Sequence, residues 1–152
     1  MDVKQLVQDY LNEAKLMQVA TSVHNQPWCC SLAYACHGID QLYWISLPES
    51  RHSQEIQINN KVSGAIVVPH DFSEGYVRGL QFQGTAKQLD GEEEAKAIEL
   101  FTERFNREKT MLEDIRSGKN PHKAYKVTIS EYVLFDTLNF KDNPRQQLDL
   151  AK

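Results

Sequence analysis

Ser50, Arg51 and His52 stand together between two segments of different character. Leu42-Tyr43-Trp44-Ile45-Ser46 reads as a strand, Leu47-Pro48-Glu49 as a short turn, and Gln54-Glu55-Ile56-Gln57-Ile58 as the body of a helix. A hydroxyl and a cation at the opening of a helix suit a phosphate. The first-turn N–H groups have no intrahelical acceptors, and the helix dipole favours an anion there. Arg51 would add a fork of donors matched to phosphate oxygens. The same tripeptide also reads as an ordinary helix start, with Ser50 as N-cap and Arg51 as a solvated charge. On these three residues alone both alternatives stay open.

Other chemistry has little support. The chain shows no nucleophile elbow, Walker loop or His-Glu-x-x-His pattern, and no Cys-x-x-Cys pair. No metal site is expected. Its three cysteines, Cys29, Cys30 and Cys36, are too few for a disulfide framework and read as small hydrophobes in a reducing compartment.

The elements that must position the tripeptide are mostly strands. Val3, Leu6, Val7, Tyr10, Leu11 and Ala14 recur at helical spacing and predict an amphipathic first helix. Met17–Val23 predicts a strand, 24–27 a turn, Trp28–Cys36 a second strand and Gln41–Ser46 a third. After the helix around residues 54–58 comes a short apolar strand, Val62–Val68. The longest strand is expected over Tyr76–Leu89, with Gly79 and Gly84 marking bulges or close approach. Asp90 and Glu93 read as a capping box for a helix that buries Ala97, Ile98, Phe101 and Phe105. Ala124–Phe135 closes the pattern as a final strand. Strands one to three are joined by turns of a few residues and must therefore be antiparallel. The expectation is a mainly β fold, a six-stranded antiparallel closed or split barrel with peripheral helices. One domain spans residues 1–140, and 141–152 form a polar tail expected to fray.

The chain has 152 residues, enough for one well-formed core, and 17 basic against 21 acidic side chains leave a net charge of −4. That balance argues against nucleic acid or an acidic membrane surface as a partner. No apolar run reaches membrane-spanning length, and the N-terminus lacks a signal-peptide core. A cytoplasmic protein with a small-molecule ligand is the expectation.

Four stretches set in this order of elements carry a family likeness. They are Ala20-Thr21-Ser22-Val23 with Pro27, Tyr43-Trp44-Ile45-Ser46 followed by Glu49-Ser50-Arg51-His52, Arg78 to Ala86 with its Gly84-Thr85-Ala86 ending, and Val133-Leu134-Phe135-Asp136-Thr137. Together they resemble the pyridoxamine 5′-phosphate oxidase-like FMN-binding split barrels, in particular a small, poorly characterised bacterial subgroup. The resemblance implies a homodimer with FMN in two grooves between subunits. It implies a flavin ring lying along Cys30, Ser31, Leu32 and Ala33, contacted largely by backbone. Ser46 and Leu47 would approach the ribityl chain or phosphate, Ser50, Arg51 and His52 would hold the phosphate, and the partner subunit would supply Arg78 and Gln81.

The chain also departs from the oxidase. Cys30 and Ala35 stand where that enzyme carries arginine and lysine on the second strand, His52 replaces its phosphate-binding lysine, and Gly79 replaces its flavin-contacting glutamine. Its C-terminal substrate-binding motif is absent. The resemblance therefore implies a relative of the vitamin B6 oxidase and not that enzyme itself. It implies an oxidoreductase moving hydride between FMN and a reduced nicotinamide or small organic substrate. The alternatives are a non-enzymatic binder of flavin, haem or another planar ligand, and a structural dimer without cofactor.

Overall fold

A computed structural model describes residues 1–151. Eight strands form one antiparallel sheet: β1 (Leu16–Val23), β2 (Gln26–Ala33), β3 (Ala35–His37), β4 (Gln41–Ser46), β5 (Lys61–Val67), β6 (Arg78–Gln88), β7 (Lys123–Asp136) and β8 (Arg145–Asp149). The helices are α1 (Val3–Glu13), α2 (Arg51–Ile58), α3 (Gly91–Phe105) and α4 (Met111–Ser117). Strand order is β2-β1-β5-β6-β7-β4-β3, with β8 on the free side of β7. Its two ends, β2 and β3, are separated in the chain by Tyr34 alone. A flat sheet cannot satisfy that connection, so the sheet curls until its ends meet at one residue. Among the described residues no helix is long and apolar enough to cross a membrane.

The expected antiparallel class holds, but with eight strands in place of six. The expected second strand breaks at Tyr34 into β2 and β3. The segment read as a fraying tail supplies β8, paired with β7 from Phe135↔Arg145 to Glu131↔Asp149. The reason lies in β7. Its partner β4 covers only Lys123 to Thr128, so the second half of β7 would present an unpaired edge. β8 takes that edge, and Leu148 and Leu150 pack against the core.

Between Gln83 and Gly84 the β6–β7 register skips Ser130. This bulge reverses the phase of β7. Tyr125, Val127 and Ile129 are buried before it, and Tyr132, Leu134 and Asp136 after it. The β1–β2 turn is tighter than expected. His24 and Asn25 both take positive φ, as a two-residue hairpin requires, and β2 resumes at Gln26. Pro27 is tolerated inside β2 because β2 is an edge strand.

The anticipated stripes are buried at Val7, Tyr10 and Leu11 on α1 and at Ala97, Ile98 and Phe101 on α3, while Phe105 in the last turn of α3 is only half-buried. The expected capping box does not form. Asp90 makes no side-chain cap bond, and Glu93 instead pairs with Lys126 and lies 3.9 Å from Lys87. Lys126 is buried beneath α3, and a buried ammonium needs a carboxylate more than an exposed N-terminus needs a cap.

Inside the curl, Trp44 and Tyr125 stack with centroids 5.7 Å apart, and Phe82 meets Tyr132 edge-on at 6.3 Å. Phe82 lies directly over Gly64, its register partner on β5. A Cβ on Gly64 would come within 2.2 Å of the Phe82 ring and 2.4 Å of the Gln18 carbonyl. Gly64→Ala is therefore expected to cost about 1–3 kcal/mol or more, the range of overpacked cores. Urea unfolding should show a lowered midpoint, while Ser63→Ala on the exposed side of β5 leaves the midpoint nearly unchanged.

Candidate functional site

The chain leaves β4 at Ser46 through a turn closed by the Ser50 N–H bonding the Leu47 carbonyl at 3.1 Å. Ser50 has the extended backbone of an N-cap, but its side chain makes no cap bond. Its hydroxyl donates to the Leu47 carbonyl at 2.8 Å and lies 2.7 Å from the Ser53 hydroxyl. The first turn of α2 is thus left without the side-chain acceptor that Ser50 ordinarily supplies. His52 Nε2 lies 2.8 Å from Ser46 Oγ and 3.3 Å from Ser50 Oγ. Two hydroxyls and an imidazole therefore converge at the opening of α2.

The rest of α2 lies across one mouth of the curled sheet and turns polar side chains into it. Glu55 accepts from the buried Thr21 hydroxyl of β1 through one oxygen and from Arg51 Nε through the other, at 2.7 Å each. The Arg51 guanidinium lies 4.0 Å over the ring of Trp28 on β2. Deeper in, Trp44 Nε1 is buried with no hydrogen-bond partner among the described residues, and the Tyr125 hydroxyl is buried beneath Ser53 of α2.

Electrostatically the mouth is close to balanced. Hydrogen bonds from Arg51 and Thr21 hold the Glu55 carboxyl below the usual carboxylate range. Burial pushes the His52 imidazole below its ordinary value, so the neutral ring is favoured in the folded chain. The Cys30 thiol is pushed up to about 11, chiefly by burial and further by neighbouring Cys29, so it is a packing group and no thiolate. Among the described residues no cluster of His, Cys, Asp or Glu is placed to hold a metal ion.

Of the candidates in the turn, Ser46, Ser50 and His52 come together, Leu47 contributes its carbonyl to Ser50, and Arg51 turns aside to Glu55 and Trp28. The other candidates divide between the two faces of the sheet. Cys30 and Leu32 point inward toward the core, while Ser31 and Gln81 lie on the outer face and Ala33 pairs with the exposed Leu16. Ser31, Gln18, Ala65, Gln81, Val133 and Gln147 are successive register partners and make one lateral row across six strands. Arg78 lies at the far end of the molecule from α2, between Tyr10 and Tyr76 at 5.3 and 5.6 Å and 3.5 Å from Glu13. Within one chain, Arg78 and the α2 cluster do not share a site.

Sequence reasoning missed Thr21, Glu55 and Trp28. Arg51 and Glu55 stand at ion-pair spacing on a helix, and Thr21 interrupts the apolar inward series Met17, Val19. Both signals were readable. The stacking of Arg51 on Trp28 joins α2 to β2 and has no local signature.

Residues 3–135 match the pyridoxamine 5′-phosphate oxidase family, and the chain belongs to it. It is similar to the UPF0306 protein of Photorhabdus laumondii, 25% identical over 104 residues that cover 66% of this chain and 71% of that protein. Its fold is similar to that of a haem-binding protein from Mycobacterium smegmatis, with TM-score 0.76 and 12% identity over 98% of this chain and 58% of that one. The chain thus spans less than two thirds of that protein. It is also similar to a FAD-binding protein from Mesorhizobium loti, with TM-score 0.61 and 16% identity over 87% of this chain and 92% of that one. At these identities the likeness to the solved structures is one of fold.

The depressed His52 pKa has a consequence for stability. The folded chain holds the imidazole less protonated than the unfolded chain, whose value is near 6.5. The stability that the neutral ring contributes is present above about pH 6.5 and is lost as pH falls through the lower folded value. His52→Gln is expected to flatten the acid limb of a stability-versus-pH curve below about pH 6.5. Thermal melts across pH, compared between the two proteins, measure this.

Proposed function

We propose that the protein is an FMN-binding oxidoreductase working as a homodimer. The observation that carries this is the convergence of Ser46 Oγ and Ser50 Oγ on His52 Nε2 at the uncapped start of α2. Hydroxyl, imidazole and helix N–H donors form a set that fits a phosphate monoester. The ring end has support too. β2 is paired on one side only, which leaves backbone groups for a planar ligand lying along Cys30 to Ala33. When bound, FMN supplies the hydride-accepting chemistry. The chain binds the phosphate through Ser46, Ser50 and His52, orients the ring along β2 and excludes water with a covering surface.

A second subunit is the proposed cover. The row from Ser31 to Gln147 has no formal charge, and Leu16 and Val67 beside it are 55% and 56% exposed. A sheet face of that kind suits a second copy of the chain. A partner placed there also offers a route for Arg78 and Gln81 to reach the other subunit's groove. The three unpaired cysteines support a reducing, cytoplasmic setting.

Haem in the same groove is the second reading, supported by the fold likeness to a haem-binding protein. Flavin is favoured here because Ser46, Ser50 and His52 converge at the uncapped start of α2, a donor set suited to the phosphate that FMN carries and haem lacks. Purified protein is expected to carry or take up FMN with a flavin spectrum and to be reduced by NADH or NADPH. A Soret band without flavin uptake would move the assignment to haem, and neither spectrum would leave a cofactor-free dimer.

FMN should raise the pKa of His52, because a phosphate dianion favours the imidazolium. Binding then takes up a proton, and affinity falls as pH rises through the raised value. Calorimetric titrations should show that fall in the wild type and a shallower slope in His52→Gln, with riboflavin insensitive to the change. If the dimer uses the outer face, Ala65→Arg in the centre of the uncharged row should yield a monomer by light scattering, since specific interfaces bury at least ~1,000 Å² and tolerate a central unpaired charge poorly.

A further inference from the structure

Arg51 opens α2 at the point where a phosphate would sit, yet its side chain is spoken for. Its Nε bonds Glu55 Oε2 at 2.7 Å, and its guanidinium lies 4.0 Å over Trp28. Glu55 is no passive surface partner. It is 8% exposed, and its other oxygen is fixed by the Thr21 hydroxyl at 2.7 Å, with Thr21 only 2% exposed on β1. The carboxylate is therefore pinned to the sheet, and Arg51 is pinned to the carboxylate. The Arg51 side chain is 46% exposed, so solvent screens the pair and a competing dianion can break it.

We propose that Glu55 sets the charge specificity of the phosphate subsite: it holds Arg51 in an internal ion pair, and a phosphate-bearing ligand gains Arg51 only by displacing Glu55. This rests on the assignment of the α2 opening as the phosphate site. Its consequence is reduced discrimination between a phosphorylated ligand and its dephosphorylated form. In the ligand-free chain Ser46, Ser50, the helix N–H groups and the His52 ring carry no charge, and the Arg51 cation is matched by Glu55. The Glu55 carboxylate stays ionised across the neutral range, because Arg51 and Thr21 both stabilise its charge. When Arg51 turns to a ligand phosphate, the guanidinium leaves the face of Trp28, so ligand binding and the environment of that indole are coupled.

Calorimetric titration of inorganic phosphate, FMN and riboflavin into wild type, Glu55→Gln and the double variant Glu55→Gln/Arg51→Ala tests this. Glutamine keeps the shape and an acceptor for Thr21 but gives up the ion pair. Glu55→Gln is expected to bind phosphate and FMN roughly twofold to fivefold more tightly, the scale of one partly exposed charge pair. Riboflavin affinity should not change, and the double variant should lose the gain. A folded Glu55→Gln protein with equal or weaker phosphate affinity would overturn the proposal, as would a gain that survives the loss of Arg51. Should Glu55→Gln not fold, the wild type gives its own readout. Saturating phosphate should change tryptophan emission in the wild type and not in Trp28→Phe, and an unchanged wild-type spectrum overturns the displacement. Glu55-dependent phosphate binding with FMN no tighter than phosphate itself would remove the flavin assignment and leave the role of Glu55 standing. No binding of either phosphate or FMN would remove both.

Discussion

The rest of the structure depends on the meeting of β2 and β3 at Tyr34. These strands occupy opposite ends of the sheet order, yet one residue joins them. Tyr34 is fully buried at that corner, and its hydroxyl donates to the Leu11 and Ala14 carbonyls at 2.8 and 3.2 Å. Arg104 of α3 reaches the same end of α1, bonding the carbonyls of Leu11, Asn12 and Ala14 while lying 4.9 Å over the Tyr34 ring. A helix C-terminus presents unsatisfied carbonyls and a negative dipole end, and here a phenol and a guanidinium answer both. The corner thus fixes α1 against the curl and ties α3 to it. Opening the sheet at this point would strip the Leu11, Asn12 and Ala14 carbonyls of these donors and expose the apolar stripe of α1.

Closure leaves two mouths, and they are filled differently. At one end α1 buries Tyr10, whose hydroxyl meets the buried carboxylate of Asp136, with Asn139 bonding both. At the other end α2 is eight residues long and contributes Ile56 to the apolar interior among the polar Ser53 and Glu55. The first end holds the hydrogen-bonded triad of Tyr10, Asp136 and Asn139. The second retains an uncapped helix start and the unpartnered Trp44 indole beneath it. Buried Trp44 Nε1 under α2 and buried Arg78 Nε beside Tyr10 leave an unpartnered donor at each end, so what sets the α2 end apart is its uncapped helix start.

Much of this was legible in the sequence because it is periodic. The stripes of α1 and α3 and the short turns that force antiparallel pairing follow from local spacing. The cluster at Ser46, Ser50 and His52 was legible because one tight turn holds all three. What the sequence did not show depends on pairing across the chain. β8 exists because β4 is too short to cover β7. Glu93 abandons its cap because Lys126 is buried below it. Arg51 looked like a free phosphate ligand because its competitors lie one turn ahead on Glu55 and on a separate strand at Trp28. In each case a local preference yields to a group brought in from elsewhere, and single-sequence patterns do not record such arrivals.

The skipped residue at Ser130 has a reach beyond its own turn of strand. β7 runs for 14 residues and serves two neighbourhoods, β4 and α3 before the bulge and β8 after it. With a period of two, the bulge acts as a change of reading frame for everything downstream. Without Ser130, Glu131, Val133 and Phe135 would turn toward the interior, and Tyr132, Leu134 and the Asp136 that holds Tyr10 would turn out to solvent. The spacing between the two halves of this strand is therefore less negotiable than the identity of most residues within it. A chain that drifted at many positions of β7 could keep this architecture, whereas a single deletion at the bulge would exchange its inside for its outside.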